Sequence, residues 1–111
     1  MVDFWATWCG PCLEAIKSIE SYKENWKNKD IVFIYITTES SPAKSWEIMK
    51  KNILGEHYYV NNTVWEQLYN DFDFDVIPTS IFFDKNGNFS QKVTGFRGAD
   101  EFVENVEKLL K

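Results

Sequence analysis

Apolar residues recur at different spacings along the chain, and each change of spacing marks a predicted element. Residues 2–6 are apolar and β-prone around one acid, Asp3. Residues 10–27 instead carry apolar side chains every three or four positions, which is typical of an amphipathic helix, and Pro11 suits its first turn. Residues 31–36 form a continuous apolar run, as found in a strand covered on both faces. The first third of the chain therefore predicts a strand, a helix and a second strand.

The middle of the chain predicts two more helices with a short strand between them. Residues 40–42, Ser-Ser-Pro, supply an N-cap and a first-turn proline for a helix that stops near Gly55. Residues 58–60 are the candidate short strand. Thr63 and Glu66 then form a capping box for the next helix.

The last third of the chain predicts an antiparallel hairpin and a final helix. Residues 80–83 and 89–94 are strand-like and flank residues 84–87, Asp-Lys-Asn-Gly, which carry the Asn-Gly signal of a tight turn. Strands joined by a hairpin are antiparallel, whereas parallel strands need crossover helices. Residues 1–111 are thus predicted to form one α/β domain, whose mixed central sheet has helices on both faces and whose middle holds an extra helix and short strand.

The first strand is short for one that carries a reactive group in an α/β sheet. Such a strand is normally central, yet few residues precede Ala6. We therefore expect the domain to be truncated at its N-terminus, with upstream sequence that lengthened this strand. A natural start at Met1 is the alternative.

Composition and charge narrow the classes of function. Hydrophobic residues make up 44% of the 111 positions and aromatic residues 17%, which excludes an intrinsically disordered chain. The net charge of -5 without a basic cluster argues against nucleic-acid binding. No apolar run approaches the ~20 residues that span a bilayer, so we expect no direct membrane insertion of this segment.

The two cysteines, Cys9 and Cys12, stand where the first strand gives way to the first helix. A single C-x-x-C pair is too little for a disulfide-stapled scaffold. A sulfur at a helix N-terminus faces unpaired N–H groups and the positive end of the helix dipole, which favours the reactive thiolate. Cys12 lies one helical turn further on, so it can resolve a mixed disulfide formed by Cys9.

Metal binding is the main competing use of such a pair. A structural zinc site needs four nitrogen or sulfur ligands, and the only other candidate is His57. We therefore predict no metal site and no cofactor. His57 itself is expected to be a half-exposed residue at a strand edge.

Three segments resemble the thioredoxin superfamily. Residues 2–12, VDFWATWCGPC, resemble its active-site segment, and residues 77–79, Ile-Pro-Thr, resemble its cis-proline loop. Residues 84–87 and Gly95 resemble the hairpin and the glycine that follow this loop. The long middle of the chain and the sequence FFDKNG look more like the TlpA/ResA-type thiol–disulfide oxidoreductases than a minimal thioredoxin.

The resemblance implies a role for each matching residue. Cys9 would be the nucleophile, Cys12 the buried resolving thiol, and Asp3 the buried carboxylate that handles the proton of the second cysteine. A carboxylate in that position should have a raised pKa, although a solvated acid at a frayed strand end is the alternative. Pro78 would follow a cis peptide bond and face the disulfide. The implied substrate-binding residues are Trp8, Gly10, Pro11, Ile77 and Pro78.

Two departures from the family pattern bear on the function. Typical thioredoxins pair the buried acid with a lysine that has no counterpart in residues 31–36, where Tyr35 is the nearest polar group. TlpA/ResA relatives often carry Glu within the C-x-x-C, whereas Gly10 and Pro11 stand here, a dipeptide associated with reductants.

The sequence therefore predicts an enzyme, a thiol–disulfide oxidoreductase that reduces protein disulfides through the two cysteines. Its expected partners are protein disulfide substrates and an upstream thiol reductant. The relatives it resembles are extracytoplasmic, so we expect a periplasmic or cell-envelope location with an exported or anchored parent protein; the cytoplasm is the alternative. The competing function is a redox-inactive binding module that uses the fold to dock a partner protein.

Overall fold

One five-stranded sheet forms the centre of the molecule in the computed structural model, which describes residues 1–111. The strand order is β3-β2-β1-β4-β5. Strand β2 runs parallel to both of its neighbours, β1 and β3, whereas β4 runs antiparallel to both of its neighbours, β1 and β5. The strands are β1 (Val2–Phe4), β2 (Ile34–Thr38), β3 (Glu56–Val60), β4 (Thr79–Phe83) and β5 (Phe89–Thr94). The predicted mixed sheet and the short extra strand are confirmed.

Four helices cover the two faces of this sheet. They are α1 (Gly10–Glu20), α2 (Ala43–Met49), α3 (Asn62–Phe72) and α4 (Ala99–Leu109). Side chains alternate between the faces along β1. Phe4 accordingly packs with Trp65 and Phe74 on the α3 side, while the larger cluster on the opposite side includes residues of α1 and α4. The helices therefore bury both faces, as the sequence predicts.

The helix and strand predicted in the first third begin and end differently in the structure. The predicted helix over 10–27 is α1 followed by a 3-10 segment, Ser21–Trp26. The strand predicted over 31–36 is β2, which is displaced toward the C-terminus. Val2, the first residue of β1, is the ladder partner of Ile34, so residues 31–33 precede the part of the chain that pairs with β1.

Both predicted helix caps in the middle of the chain are wrong. The residue that precedes α2 is Pro42, with no side-chain cap, because the Ser41 hydroxyl is used for tertiary contacts instead. The helix then ends at Met49 and a 3-10 turn, Lys50–Asn52, follows. Helix α3 is capped by Asn61, whose Oδ1 accepts from the Val64 N–H at 2.9 Å, so the helix starts before the predicted capping box.

The hairpin between β4 and β5 matches the prediction. Asp84 closes its turn, because Oδ1 accepts from the N–H groups of Asn86 and Asn88, both at 2.9 Å. Gly87 adopts a φ of 83°, a conformation that favours glycine. None of the helices has the length and apolar character needed to cross a membrane.

Candidate active site

Cys9 and Cys12 are joined by a disulfide at the N-terminus of α1, just beyond the carboxyl end of β1. Their Cα atoms are 5.2 Å apart. Cys9 is the N-cap residue, and its sulfur accepts a hydrogen bond from the Cys12 N–H at 3.2 Å. The exposed fraction is 5% for Cys9 and 1% for Cys12, so both are buried and Cys9 is the more accessible. The predicted position of Cys9 at the helix N-terminus is confirmed.

A buried hydroxyl network holds the loop between β1 and the disulfide. The Thr7 N–H donates to Ser41 Oγ at 3.0 Å, and this oxygen lies 2.8 Å from Thr37 Oγ1. The Tyr59 hydroxyl donates to the Ser41 carbonyl at 2.6 Å. Sequence reasoning missed this role of Ser41, since a serine directly before a proline and a helical pattern has the signature of a cap.

Trp8, Gly10 and Pro11 form the exposed surface around the disulfide. The side chain of Trp8 is 62% exposed, and its Nε1 donates to Ser40 Oγ at 3.3 Å. Trp5, in contrast, is completely buried. Trp8 therefore presents an exposed indole beside the disulfide, whereas Trp5 belongs to the core.

The loop before β4 lies at the same end of the sheet as the disulfide. Phe4 and Thr79 are partners in the β1–β4 ladder, so Pro78 comes directly beside the end of β1. The Ile77–Pro78 peptide bond is cis, and the Pro78 carbonyl accepts from the Gly95 N–H at 2.8 Å. A cleft of ≈ 350 Å³ opens between this loop and the disulfide loop, and Trp8 and Ile77 are among its lining residues.

Asp3 is a buried carboxylate in the middle of the sheet, 4% exposed. Its ladder partners are Tyr35 on β2 and Ser80 on β4, and Ser80 Oγ donates to Asp3 Oδ1 at 3.3 Å. Burial raises the pKa of Asp3 to about 7, against the opposing effects of the Ser80 hydrogen bond and the positive charge of Lys23. The solvated alternative for Asp3 is therefore wrong, because the carboxylate lies within the core and has a raised pKa.

Lys23 is a buried cation that sequence reasoning missed. Its side chain is 1% exposed, and its Nζ donates to Tyr35 Oη at 2.6 Å, to the Leu54 carbonyl at 2.8 Å and to Glu20 Oε1 at 2.9 Å. As expected, residues 31–36 contain no lysine that could accompany the buried acid. A lysine reaches this region from another part of the chain, the 3-10 segment after α1.

The signal for Lys23 is present in the sequence. It follows Ile19 by four positions and precedes Trp26 by three, so it lies on the apolar stripe of the predicted helix. A charge on a buried stripe needs a partner. The sequence alone does not show that the partners come from β2 and from the loop at Leu54.

His57 lies on the edge strand β3 and is half-buried, as predicted. Its Nε2 lies 2.7 Å from the Ile53 carbonyl, and its ring stacks on Tyr35 with ring centroids 5.4 Å apart. No group of three or more His, Cys, Asp or Glu side chains is placed to hold a metal ion.

Comparisons with known proteins point to one family. The family model described as thioredoxin-like matches residues 1–89. A thioredoxin from Staphylococcus aureus is 30% identical over 111 residues, which cover 99% of this chain and 81% of the relative. A solved thiol:disulfide interchange protein of the thioredoxin family from Chlorobium tepidum is 25% identical, with a TM-score of 0.82 over 99% of this chain and 78% of that one. A solved putative thiol-disulfide oxidoreductase from Bacteroides vulgatus is 26% identical, with a TM-score of 0.74 over 98% of this chain and 76% of that one.

The fold, the cysteine pair and these relatives together define a thiol–disulfide oxidoreductase. Within that class the chain belongs to the thioredoxin-like family. The predicted membership of the thioredoxin superfamily is thereby confirmed.

Proposed function

We propose that this protein reduces disulfide bonds in other proteins, with Cys9 as the attacking sulfur. The observation that supports this most directly is the position of Cys9 as the N-cap of α1, with its sulfur 3.2 Å from the Cys12 nitrogen. An N–H group aimed at the sulfur and the positive end of the helix dipole both stabilise a thiolate. Cys12 lacks this position, because it lies within the first turn and is nearly inaccessible.

The reaction has two sulfur-exchange steps. In the reduced protein, the Cys9 thiolate attacks one sulfur of the target disulfide, that bond breaks, and the departing target sulfur takes up a proton. Cys12 then loses its proton and attacks the Cys9 sulfur, which forms the intramolecular disulfide and releases the second target thiol. The target gains two electrons and the Cys9–Cys12 pair loses two, which an upstream thiol reductant restores.

Asp3 is our candidate for the base that accepts the Cys12 proton. Asp3 lines a small cavity together with Ala15 and Ile19 of α1, which shows that it faces the side of the sheet covered by that helix. A general base works best when its pKa lies near the working pH. The raised pKa of Asp3, about 7, meets that requirement.

The cleft between Trp8 and Ile77 is our candidate for the substrate-docking site. Two exposed apolar side chains, Trp8 and Val76, line it together with polar residues such as Ser40 and Asp75. Gly10 and Pro11 are exposed and present no large side chain over the disulfide. The backbone of Ile77 lies at the open end of the sheet, where an extended segment of the target could pair with it, whereas the Pro78 carbonyl is already bonded to the Gly95 N–H.

The proposal extends to partners and location. We expect protein substrates with accessible disulfides and a separate thiol reductant, in the periplasm or cell envelope, because the TlpA/ResA relatives that the sequence resembles act there. Fractionation of cells that express the full-length parent gene tests the location. Recovery of the protein in the cytoplasm would contradict it.

Trapping of the mixed disulfide tests the function. Cys12→Ser should accumulate covalent adducts with disulfide-containing proteins, reversible by dithiothreitol, because Cys9 can still attack but nothing nearby resolves the adduct. Cys9→Ser is the matched control and should form none, and it should also lose insulin reduction. A docking module would instead retain its partners without Cys9. Absence of any adduct that depends on Cys9 would refute the proposed function.

A further inference from the structure

We propose that the cleft beside the disulfide selects target segments that carry an arginine or lysine close to their own disulfide, and that Asp75 determines this specificity. The inference deepens the proposed function, because it rests on the cleft between Trp8 and Ile77 as the docking site for the target. Its support is one carboxylate and four aromatic side chains that line the same cleft.

Asp75 is the only residue with a formal charge among those that line the cleft. Its side chain is exposed, and none of the four ion pairs in the structure includes it. No lysine or arginine lines the cleft. The cleft therefore presents a negative charge that no cation of this chain balances.

The loop that carries Asp75 is anchored on both sides of this residue. Before it, Phe74 is 7% exposed, and its N–H donates to the Tyr69 carbonyl at 3.2 Å. After it, the Val76 carbonyl accepts from Thr79 Oγ1 at 2.7 Å. Because both neighbours are held, little backbone freedom is lost when a target binds to the carboxylate.

The other charges near the cleft also favour a cationic target. Lys92 reaches the loop after α3, but its ammonium group donates to the carbonyls of Phe72 and Asp73. Beside the cleft, Glu39 Oε1 accepts from the Asn62 N–H at 3.4 Å. The first turn of α3, whose dipole would attract an anion, thus already faces a carboxylate of this chain. Charge complementarity therefore selects a positive side chain over a negative one.

The aromatic side chains give the cleft a second means of binding a cation. Indole and phenol rings attract an arginine or lysine that lies over their faces. Trp8 is 62% exposed, and Trp65 and Tyr69 pack together with ring centroids 5.5 Å apart. The aliphatic stems of arginine and lysine also suit apolar walls. Either side chain can contact the rings along its length and approach Asp75 with its charged end, whereas an apolar side chain would leave the carboxylate unpaired.

The recognised cation should lie within a few positions of the target cysteine. Asp75 is two residues from Ile77, whose backbone is our candidate for pairing with the target. Extended chain advances only about 3.3 Å per residue, so Asp75 can reach only the residues close to the reacting disulfide.

The test measures how fast the reduced protein reduces synthetic peptides that share one intramolecular disulfide and differ at one position next to a cysteine. That position holds arginine, citrulline, glutamate or phenylalanine, and citrulline keeps the shape of arginine without its charge. Each rate is divided by that of the same peptide with dithiothreitol, which corrects for the intrinsic reactivity of its disulfide. We expect the arginine peptide to react about fivefold faster than the citrulline peptide at low salt, and the glutamate peptide to be the slowest. The preference should shrink at about 0.5 M salt.

Substitutions of Asp75 test its assignment. Asp75→Asn should remove the preference for arginine over citrulline, and Asp75→Lys should make the glutamate peptide the faster one. Asp30→Asn is the matched control, because it removes the same charge from an exposed position at the opposite end of the sheet and should retain the preference. The urea midpoint of each variant shows that it is folded. An arginine preference that persists in folded Asp75→Asn would overturn the assignment.

The same peptides separate this inference from the proposed function. Reduction of the arginine and citrulline peptides at equal rates, or fastest reduction of the phenylalanine peptide, supports the reductase and overturns the proposed substrate class. Failure to reduce any of the peptides, or insulin, contradicts both.

Discussion

Substitution of Asp3 by Asn should stabilise the oxidised protein by an amount that depends on pH. Burial raises the pKa of Asp3 from its ordinary value of 3.8 to about 7. The folded protein therefore resists ionisation of a group that ionises readily in the unfolded chain. The gap of roughly three pH units corresponds to about 4 kcal/mol of unfolding free energy.

The sign of this effect is fixed by where the proton binds. Below about pH 4 the carboxyl is largely neutral in both the folded and the unfolded state, so the unsubstituted protein and the Asp3→Asn variant should have similar stability. As the pH rises toward the folded-state pKa, the unfolded chain ionises while the folded one keeps its proton, and the stability of the unsubstituted protein falls relative to that of Asp3→Asn. Above that pKa the difference in unfolding free energy between the two proteins should level off near its full value.

Urea unfolding of both oxidised proteins at about pH 4, 5.5 and 8 measures this difference. The variant should gain about 2 kcal/mol at the middle pH and about 4 kcal/mol at the highest. Asp30→Asn, at an exposed turn position, is the control and should show no such trend. A stability gain that is the same at all three values would refute the buried, proton-retaining carboxyl.

Three further predictions concern the loop and the disulfide. In the reduced protein, iodoacetamide should label Cys9 first at neutral pH, as peptide mass mapping would show; faster labelling of the other thiol would reverse the assignment of the nucleophile. Trp8→Ala should raise the KM for insulin several-fold and change the unfolding free energy by less than about 0.5 kcal/mol, because the indole is largely exposed. Ser41→Ala should cost about 1–3 kcal/mol in urea unfolding, since it leaves the buried Thr7 N–H unpaired, whereas Ser40→Ala at the exposed neighbour should cost little. Equal losses for the two serines would contradict the network.

The parts of the fold that could be predicted from the sequence are those with local signals. The β4–β5 hairpin depends on residues 84–87, which form their own turn. The strand–helix junction at Cys9 is similarly local, because the proline and the apolar spacing are contiguous with the cysteines. In both cases the residues that determine the element are within a few positions of it.

The parts that could not be predicted depend on partners distant in sequence. Ser41 has the local signature of a helix cap, but its hydroxyl pairs with Thr7, 34 residues away, and the helix starts without it. Lys23 lies on an apolar stripe, and its acceptor at Leu54 is 31 residues away. Local propensity describes which contacts a side chain can make, and tertiary packing decides which of them it does make.

The difference in accessibility between the two cysteines also bears on resistance to oxidative damage. A peroxide that reaches Cys9 converts its thiolate to a sulfenic acid, and further oxidation to the sulfinic acid is irreversible for most proteins. Cys12, at 1% exposure, is shielded from the oxidant and already within disulfide reach. Its thiol can condense with the sulfenic acid, release water and return the protein to the disulfide form. We expect intact-mass spectrometry after brief peroxide treatment to show that the reduced, unsubstituted protein is converted to the disulfide form, whereas Cys12→Ser acquires sulfinic acid at Cys9. Accumulation of sulfinic acid in the unsubstituted protein would contradict this protection.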